Sequence, residues 1–281
     1  FALSRRDSFG FFSEPDATWL RRKGVHARQM FDEADLQRRI EKKPEAYKFR
    51  GRSFWQYHYE PSFHCDFTER IGDMGDGHKW ICDPFRIKEK VSMGQPCLVY
   101  SVGSRGKFDF EDMVLKRISK ECEIHTFDPA PLAPEPKYLS VIPQIKYHQM
   151  CLSGPAGADA RTFSGAALAN YTCKPLSQIV KELGHEGRDI DIFKIDCEGC
   201  EYDTYRDWSA APVNIRQINI ELHFKGKGKA HNFFQAMFNS GYVVHAKEPN
   251  TIGCSGDCVE YGLVKLAPSF SQEHVVFPRY A

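Results

Sequence analysis

Apolar and polar positions along the chain fall into two regimes that meet near residue 96. Beyond that point, short apolar runs end abruptly in polar residues and alternate with stretches of helical period, the rhythm of strand, turn and helix. The pattern predicts strands over Leu98 to Val102, Glu123 to Phe127, Ile145 to Leu152, Ile190 to Ile195, Ile215 to Leu222, Tyr242 to Ala246 and Val259 to Leu266. Helices are expected over Asp109 to Ser119, Pro175 to Leu183 and His231 to Ser240. This alternation predicts an α/β fold built on a doubly wound, mostly parallel sheet. The last two strands, close together across a Gly-containing turn, read as an antiparallel pair at the carboxyl end.

The first regime is different in kind. Residues 1–50 are charged, with an amphipathic helix expected around Met30 to Glu41 and ended by Pro44. From residue 54 to 87, Phe54, Trp55, Tyr57, Tyr59, Phe63, Phe67, Trp80 and Phe85 are interleaved with His58, His64, Cys65, His78 and Cys82 around a Gly-rich turn, Gly72 to Gly77. So many aromatics with little regular period predict an irregular cover packed on the sheet. The expected organisation is an appendage over 1–53, an aromatic and Cys/His-containing cover over 54–95, and a ligand-binding domain over 96–281. No internal repeat and no low-complexity segment interrupts it.

Composition narrows the partners more than the fold. A chain of 281 residues that is 42% hydrophobic and 27% charged can bury a sizeable core. Its net charge of +1 argues against nucleic acid or an anionic membrane as the main partner. No apolar run approaches the ~18 residues of a membrane span, so none is expected here. The first residue is Phe, not Met, so a signal peptide or an anchor ahead of it is among the expectations. Ten cysteines are many for a cytosolic enzyme and few for a disulfide-built scaffold, which leaves the compartment open. Asn170-Tyr-Thr172 is a glycosylation sequon that tilts the balance towards the secretory route.

The chemistry gathers at the predicted strand ends, where an open parallel sheet binds ligands. Gly103-Ser104-Arg105-Gly106 would let backbone amides approach a ligand closely at a helix amino terminus. Asp128 lies 25 residues after Gly103 and ends the next strand, near the ~20-residue offset at which an acid accepts hydrogen bonds from ribose hydroxyls. The alternative for Asp128 is a turn residue before Pro129. Ser153, after the third strand, is a candidate lining of an adenine pocket, or an ordinary turn residue. Asp196, Glu198 and Glu201 follow the fourth strand, and Glu221 and His223 close the fifth. Burying these acids together demands a cation, a positive ligand or a proton. Asp196, Glu221 and His223 are therefore candidate ligands for a hard divalent ion, and His223, with an unperturbed pKa of ~6.5, is a candidate base.

Phe193-Lys-Ile-Asp-Cys-Glu-Gly-Cys-Glu201 resembles the Lys-Ile-Asp-x-Glu-Gly-x-Glu signature of FkbM-type S-adenosylmethionine methyltransferases, many of which O-methylate sugars. Phe63-His-Cys-x-Phe-x-Glu-Arg-Ile-Gly72 and Gly75-Asp-Gly-x-Lys-Trp-x-Cys-Asp-Pro-x-Arg-Ile87 are similar to the segment ahead of the sheet in the eukaryotic methyltransferase-like family, whose members often enter the secretory route. The likeness covers most of residues 54–266, ending at Cys258-Val-Glu-Tyr261. It implies a Rossmann-like methyltransferase sheet with S-adenosylmethionine as cofactor. With the strand-end reading it yields a cofactor-binding set of Gly103, Ser104, Gly106, Asp128, Ser153, Asp196 and Glu198. The catalytic candidates are His223, Glu221 and Asp196. One departure matters: the turn Ser101-Val-Gly-Ser-Arg-Gly106 lacks an acid two residues before its first glycine, so another acid, Asp196 foremost, has to meet the methionine amino group.

The expected activity is O-methylation of a sugar or other hydroxyl-bearing acceptor. A protein-modifying methyltransferase and an inactive methyltransferase-fold subunit with assembly partners are the alternatives. Aromatics of the cover are candidates for an acceptor wall as well as for core packing. The expected location is the Golgi lumen or the extracellular space, with the cytoplasm as alternative. Three readings of the cysteines stay open: buried thiols, bridges such as Cys65 with Cys82 and Cys254 with Cys258, or a redox or metal site at Cys197 and Cys200.

Overall fold

Runs of β-branched and aromatic residues bounded by Gly, Asp and Pro form the strands, and the amphipathic stretches between them form the helices. The computed structural model describes residues 5–7, 13–43, 51–133, 135–155 and 171–267. In chain order the elements are α1 (Asp16–Lys42), α2 (Arg52–Tyr57), β1 (Thr68–Ile71), β2 (Lys79–Cys82) and α3 (Pro84–Ser92). Then come β3 (Leu98–Val102), α4 (Asp109–Met113, continued as a π-helical turn over Val114–Ile118), β4 (Glu123–Asp128), β5 (Ile145–Gln149) and α5 (Leu176–Glu182). The carboxyl half adds β6 (Ile192–Ile195), α6 (Glu201–Trp208), β7 (Gln217–His223), α7 (Lys227–Asn239), β8 (Tyr242–Asn250) and β9 (Cys258–Lys265).

Seven of these strands make one sheet in the order β8-β9-β7-β6-β3-β4-β5. Pairs β3/β4, β4/β5, β3/β6 and β6/β7 are parallel, whereas β9 runs antiparallel to both of its neighbours. The expected doubly wound sheet with an antiparallel carboxyl-terminal strand is the one observed. The chain leaves β3 towards β4 and β5, then returns to β6 on the other side, so the switch point lies between β3 and β6. Register aligns the strand ends there: Val102 pairs with Phe127 and with Ile195, and Ile195 with Ile220. Residues that follow these positions must emerge along one edge.

Alternation along the pleat divides the core in two. Tyr100 and Phe193 face a cluster with Phe54, Trp208 and Phe233, while Val99 and Ile192 face one with Trp19, Phe63, Ile81 and Phe108. Strand β7 shows the same alternation with chemistry attached, since Gln217, Asn219, Glu221 and His223 share one face and Ile218, Ile220 and Leu222 the other. On the polar face, Gln217 exchanges hydrogen bonds of 2.9 Å with the backbone N–H and C=O of Cys82, and Asn219 Nδ2 donates to Trp80 O at 2.6 Å. Two side-chain amides thereby satisfy the open edge of β2 and dock the β1–β2 hairpin on the sheet.

Several expectations change. The aromatic-rich segment 54–95 is irregular over 58–67 and 72–78, as expected, and outside those stretches it forms α2, the β1–β2 hairpin and α3. Four-residue strands held by a distant strand's side chains leave no local period to read. Helix α1 begins at Asp16 rather than near Met30, because its first half is rich in helix-forming charged residues and anchored by one apolar side chain, the fully buried Trp19. The run Ile145 to Leu152 breaks at Met150, and Cys151–Leu152 pairs instead with Cys173–Lys174. Phe54, Trp55, Tyr59 and Phe63 are buried in the core, so those four pack rather than wall an acceptor site. No helix among the described residues is long and apolar enough to cross a membrane.

All ten cysteines are paired, as Cys65–Cys82, Cys97–Cys122, Cys151–Cys173, Cys197–Cys200 and Cys254–Cys258. The two bridges anticipated are present, and the readings of free buried thiols and of a metal at Cys197 and Cys200 give way. Cys97–Cys122 ties the residues that lead into β3 and β4 across a separation of 25. Replacing both with Ala is expected to lower stability by about 3 kcal/mol, chiefly by freeing the unfolded chain. Denaturant midpoints of variant and parent would measure it, and an unchanged midpoint would refute it.

Candidate active site

The first strand-end loop is built around close approach. Gly103 has φ of +78°, and a Cβ there would lie 1.7 Å from the carbonyl oxygen of Asp196, so no side chain fits between the ends of β3 and β6. Its N–H donates to Phe127 O at 2.9 Å. The N–H groups of Ser104 and Arg105 donate to Asp128 Oδ2 at 2.9 and 2.7 Å, and that of Ala130 donates to Oδ1 at 2.8 Å. Asp128 is 3% exposed, and its carboxylate shapes the glycine loop instead of opening into the cleft. The turn role and the loop-bracing role therefore coincide in one residue.

Beyond the switch point lies a cleft of about 610 Å³, open solvent included. Gly103, Ser104, Lys194, Asp196, Glu198 and Glu221 line it, with Asp76 and Gly77 from the hairpin turn and Asp109, Phe110 and Glu111 from α4. The wall is unusually polar for a ligand pocket.

The acids are held by lysines and by protons. Lys79, 1% exposed, donates to Glu260 Oε1 at 2.8 Å and to Asp196 Oδ2 at 3.4 Å. Burial disfavours its charge, yet Glu260, Asp196 and Glu221 outweigh that and raise its pKa. Lys194 Nζ donates to Gly103 O at 2.5 Å and so links the signature strand to the glycine loop. Burial pulls the Asp196 pKa up, but Lys79 and Lys194 more than compensate and it falls below the usual carboxylate range. Glu221 goes the other way: burial, then Asp196 and Glu260, push it up to about 9. The protonated Glu221 carboxyl is hydrogen-bonded to ionised Asp196, two carboxyl groups sharing one proton.

His223 completes the cluster from the end of β7. Its Nε2 lies 3.2 Å from Glu198 Oε2 and 3.8 Å from Glu221 Oε2, and its Nδ1 lies 3.3 Å from Glu201 Oε1. Burial works against its charge, but the hydrogen bond and charge of Glu201, with Glu221 and Asp196, raise its pKa to about 9. At neutral pH the ligand-free site thus holds an imidazolium, which accepts a proton only after losing one. Fully buried Glu201 also accepts from Cys197 N–H at 3.3 Å, and the Cys197–Cys200 disulfide closes the signature loop around Glu198, whose φ is +59°.

A family model described as a methyltransferase domain matches residues 2–265. The chain belongs to that family. It carries an S-adenosylmethionine-dependent methyltransferase fold. No curated protein matches it in sequence. Similar solved structures include a precorrin-6y C5,15-methyltransferase from Geobacter metallireducens GS-15, at 11% identity and a TM-score of 0.35, covering 66% of this chain and 86% of that one. A 1,6-didemethyltoxoflavin-N1-methyltransferase from Burkholderia thailandensis, solved with S-adenosylhomocysteine, has 11% identity and a TM-score of 0.35 over 66% and 78% of the two chains. The Methanococcus jannaschii fibrillarin pre-rRNA processing protein has 10% identity and a TM-score of 0.39 over 72% and 84%. Similarity at this level says nothing of what this methyltransferase acts on.

Of the residues singled out from sequence, Gly103, Ser104, Asp196, Glu198 and Glu221 line one cleft, and His223 stands directly behind Glu198 and Glu221. Gly106 turns the loop with φ of +76°, Asp128 braces it, and Ser153 bonds to neighbouring backbone, its N–H donating to Lys174 O at 3.0 Å; these three do not line the cleft. Ligand atoms of Asp196, Glu221 and His223 lie within 4.8 Å of one another, and their donor types suit a hard divalent ion. Lys79 stands beside the same trio, its Nζ 3.4 Å from Asp196 Oδ2. Lys79, Lys194, Glu260 and Asp76 were missed by the sequence reading. For Lys194 a signal existed, a lysine inside the otherwise apolar run Ile192–Ile195.

Proposed function

We propose that this methyltransferase O-methylates a hydroxyl group on a sugar or glycan, as its likeness to the FkbM-type signature implies, and does so within the secretory pathway, as its likeness to the eukaryotic methyltransferase-like family implies. The observation that carries the reading is that Asp196 and Glu221 both face the cleft with carboxylate oxygens within 4.8 Å of each other, a preset acceptor for positive charge and for a hydroxyl proton. S-adenosylmethionine, when bound, supplies an electrophilic methyl group on a cationic sulfur. The loop Gly103–Gly106 offers close backbone approach, and ionised Asp196 meets the positive side of the ligand. Arrival of that charge favours loss of the shared proton, which leaves Glu221 as a carboxylate able to take the acceptor proton, with His223 behind it to stabilise the charge. Asp76, Asp109, Glu111 and Lys194 give the cleft the hydrogen-bonding wall that a polyhydroxylated acceptor requires. Five disulfides support a lumenal or extracellular setting, where such bridges persist.

Incubation of the protein with methyl-labelled S-adenosylmethionine and a panel of oligosaccharides, hydroxylated small molecules and proteins tests the acceptor class. Label in sugars is expected; label confined to proteins would reject it. Absence of any heat on titration with S-adenosylmethionine or S-adenosylhomocysteine would reject the cofactor and favour a noncatalytic assembly role.

Proton linkage provides an independent check. Glu221, raised to about 9, is protonated before a cationic cofactor binds, so binding expels its proton. Affinity should then rise from neutral pH towards about 9, by up to about tenfold per pH unit for each proton released, and level off above. At pH 7.5 the calorimetric binding enthalpy is expected to vary with the ionisation enthalpy of the buffer; a buffer-independent value would sink the idea.

A further inference from the structure

The opposite edge of the sheet, where β4 begins, holds a second cluster of titratable groups that methyl transfer does not use. Glu123 opens β4, His125 follows it on the same strand face, and His185 drops onto them from the end of α5. The approach of His185 is built into the chain: Gly184, with φ of +69°, ends α5, its N–H donating to Lys181 O at 3.1 Å while His185 N–H donates to Val180 O at 2.9 Å. His125 and His185 are 2% and 4% exposed. Their Nε2 atoms lie 3.2 and 3.7 Å from one and the same oxygen, Glu123 Oε1.

We infer that Glu123 Oε1, His125 Nε2 and His185 Nε2 form a binding site for a divalent transition metal of the zinc class. The spacing fits: tetrahedral bonds of ~2.0–2.1 Å set neighbouring ligand atoms roughly 3.3 Å apart, and all three here lie within 4.8 Å of one another. Imidazole and carboxylate are the donor types such ions take. Each histidine also has a partner on its other nitrogen, as metal-bound histidines require. His125 Nδ1 is 2.9 Å from His148 Nε2, and His185 Nδ1 is 2.7 Å from the Tyr100 hydroxyl. Arg188 Nη2 holds the remaining carboxylate oxygen, Oε2, at 2.8 Å.

Lys146 is the competitor. Its ammonium contacts Glu123 Oε1, the vertex of the trio, but the side chain is 60% exposed and can turn to water. A metal would take over its charge and tether the end of α5 to β4, beside the Cys97–Cys122 bridge.

Titration of the metal-stripped, disulfide-intact chain with Zn²⁺ tests the site by calorimetry and by thermal shift. One equivalent is expected to bind and raise the melting temperature. His185→Gln should abolish that binding, Tyr100→Phe should weaken it about tenfold, and His223→Ala, at the other cluster, should retain it. Lys146→Ala, a surface change that does not threaten folding, should tighten binding several-fold. Absence of zinc binding by the parent chain, binding that survives His185→Gln, or affinity unchanged or weakened in Lys146→Ala would each overturn the assignment.

Discussion

Asp196→Asn is expected to reduce kcat/KM for methyl transfer on the order of a thousandfold, about 4 kcal/mol of transition-state stabilisation, in a protein that remains folded. Three facts set the size. Asp196 is 15% exposed at its side chain and faces the cleft, it is the member of the carboxyl pair already ionised, and it stands at the switch point where β3 and β6 diverge. An amide of the same shape keeps the packing and removes the charge that a cationic donor meets. It also strands the Glu221 proton, because the acceptor that shares it is gone. Folding is expected to survive, since Lys79 keeps its shorter bond of 2.8 Å to Glu260. Labelled-methyl assays with saturating cofactor would measure the effect, and a loss smaller than about tenfold would remove Asp196 from the mechanism.

Lys79→Met is expected to destabilise the fold by about 4 kcal/mol, the largest stability effect foreseen for any single residue here. Methionine matches the length of the lysine stem but leaves Glu260, 2% exposed, and Asp196 without their shared cation. Buried carboxylates without a counter-charge take up protons, so their folded-state pKa values rise above those of the unfolded chain. Between the unfolded value and the raised one the folded state holds more protons, and stability therefore falls as pH rises. The variant should be closer to the parent near pH 5 than near pH 8 in guanidinium titrations. A deficit independent of pH would mean that Lys79 serves packing and not charge balance.

Much of this arrangement is legible in the chain itself. Leu98–Val102 and Ile192–Ile195 are apolar runs cut off by Gly103 and Asp196, and that signal is local, because burial of a whole strand and release at its tip both show in neighbouring residues. The Glu221-x-His223 pair likewise follows from the two-residue period of β7. The alternation of strands and helices was enough to predict a doubly wound sheet, and the short gap between β8 and β9 to predict their antiparallel pairing.

What the chain could not state is which side chains separated by many residues share charge. Lys79 lies 117 residues before Asp196 and 181 before Glu260, and only the docking of β2 on β7 and β9 brings them together. Burial of Glu221 beside Asp196 and Glu260 likewise makes an ordinary carboxyl hold its proton to about pH 9, and Glu201, with Glu221 and Asp196, makes His223 a cation where its intrinsic chemistry suggests a base. Strand ends and their residue types are decided by local burial, which one segment encodes alone. Protonation states and counter-ions are decided by distances between segments, which exist only after the sheet and its hairpin have assembled.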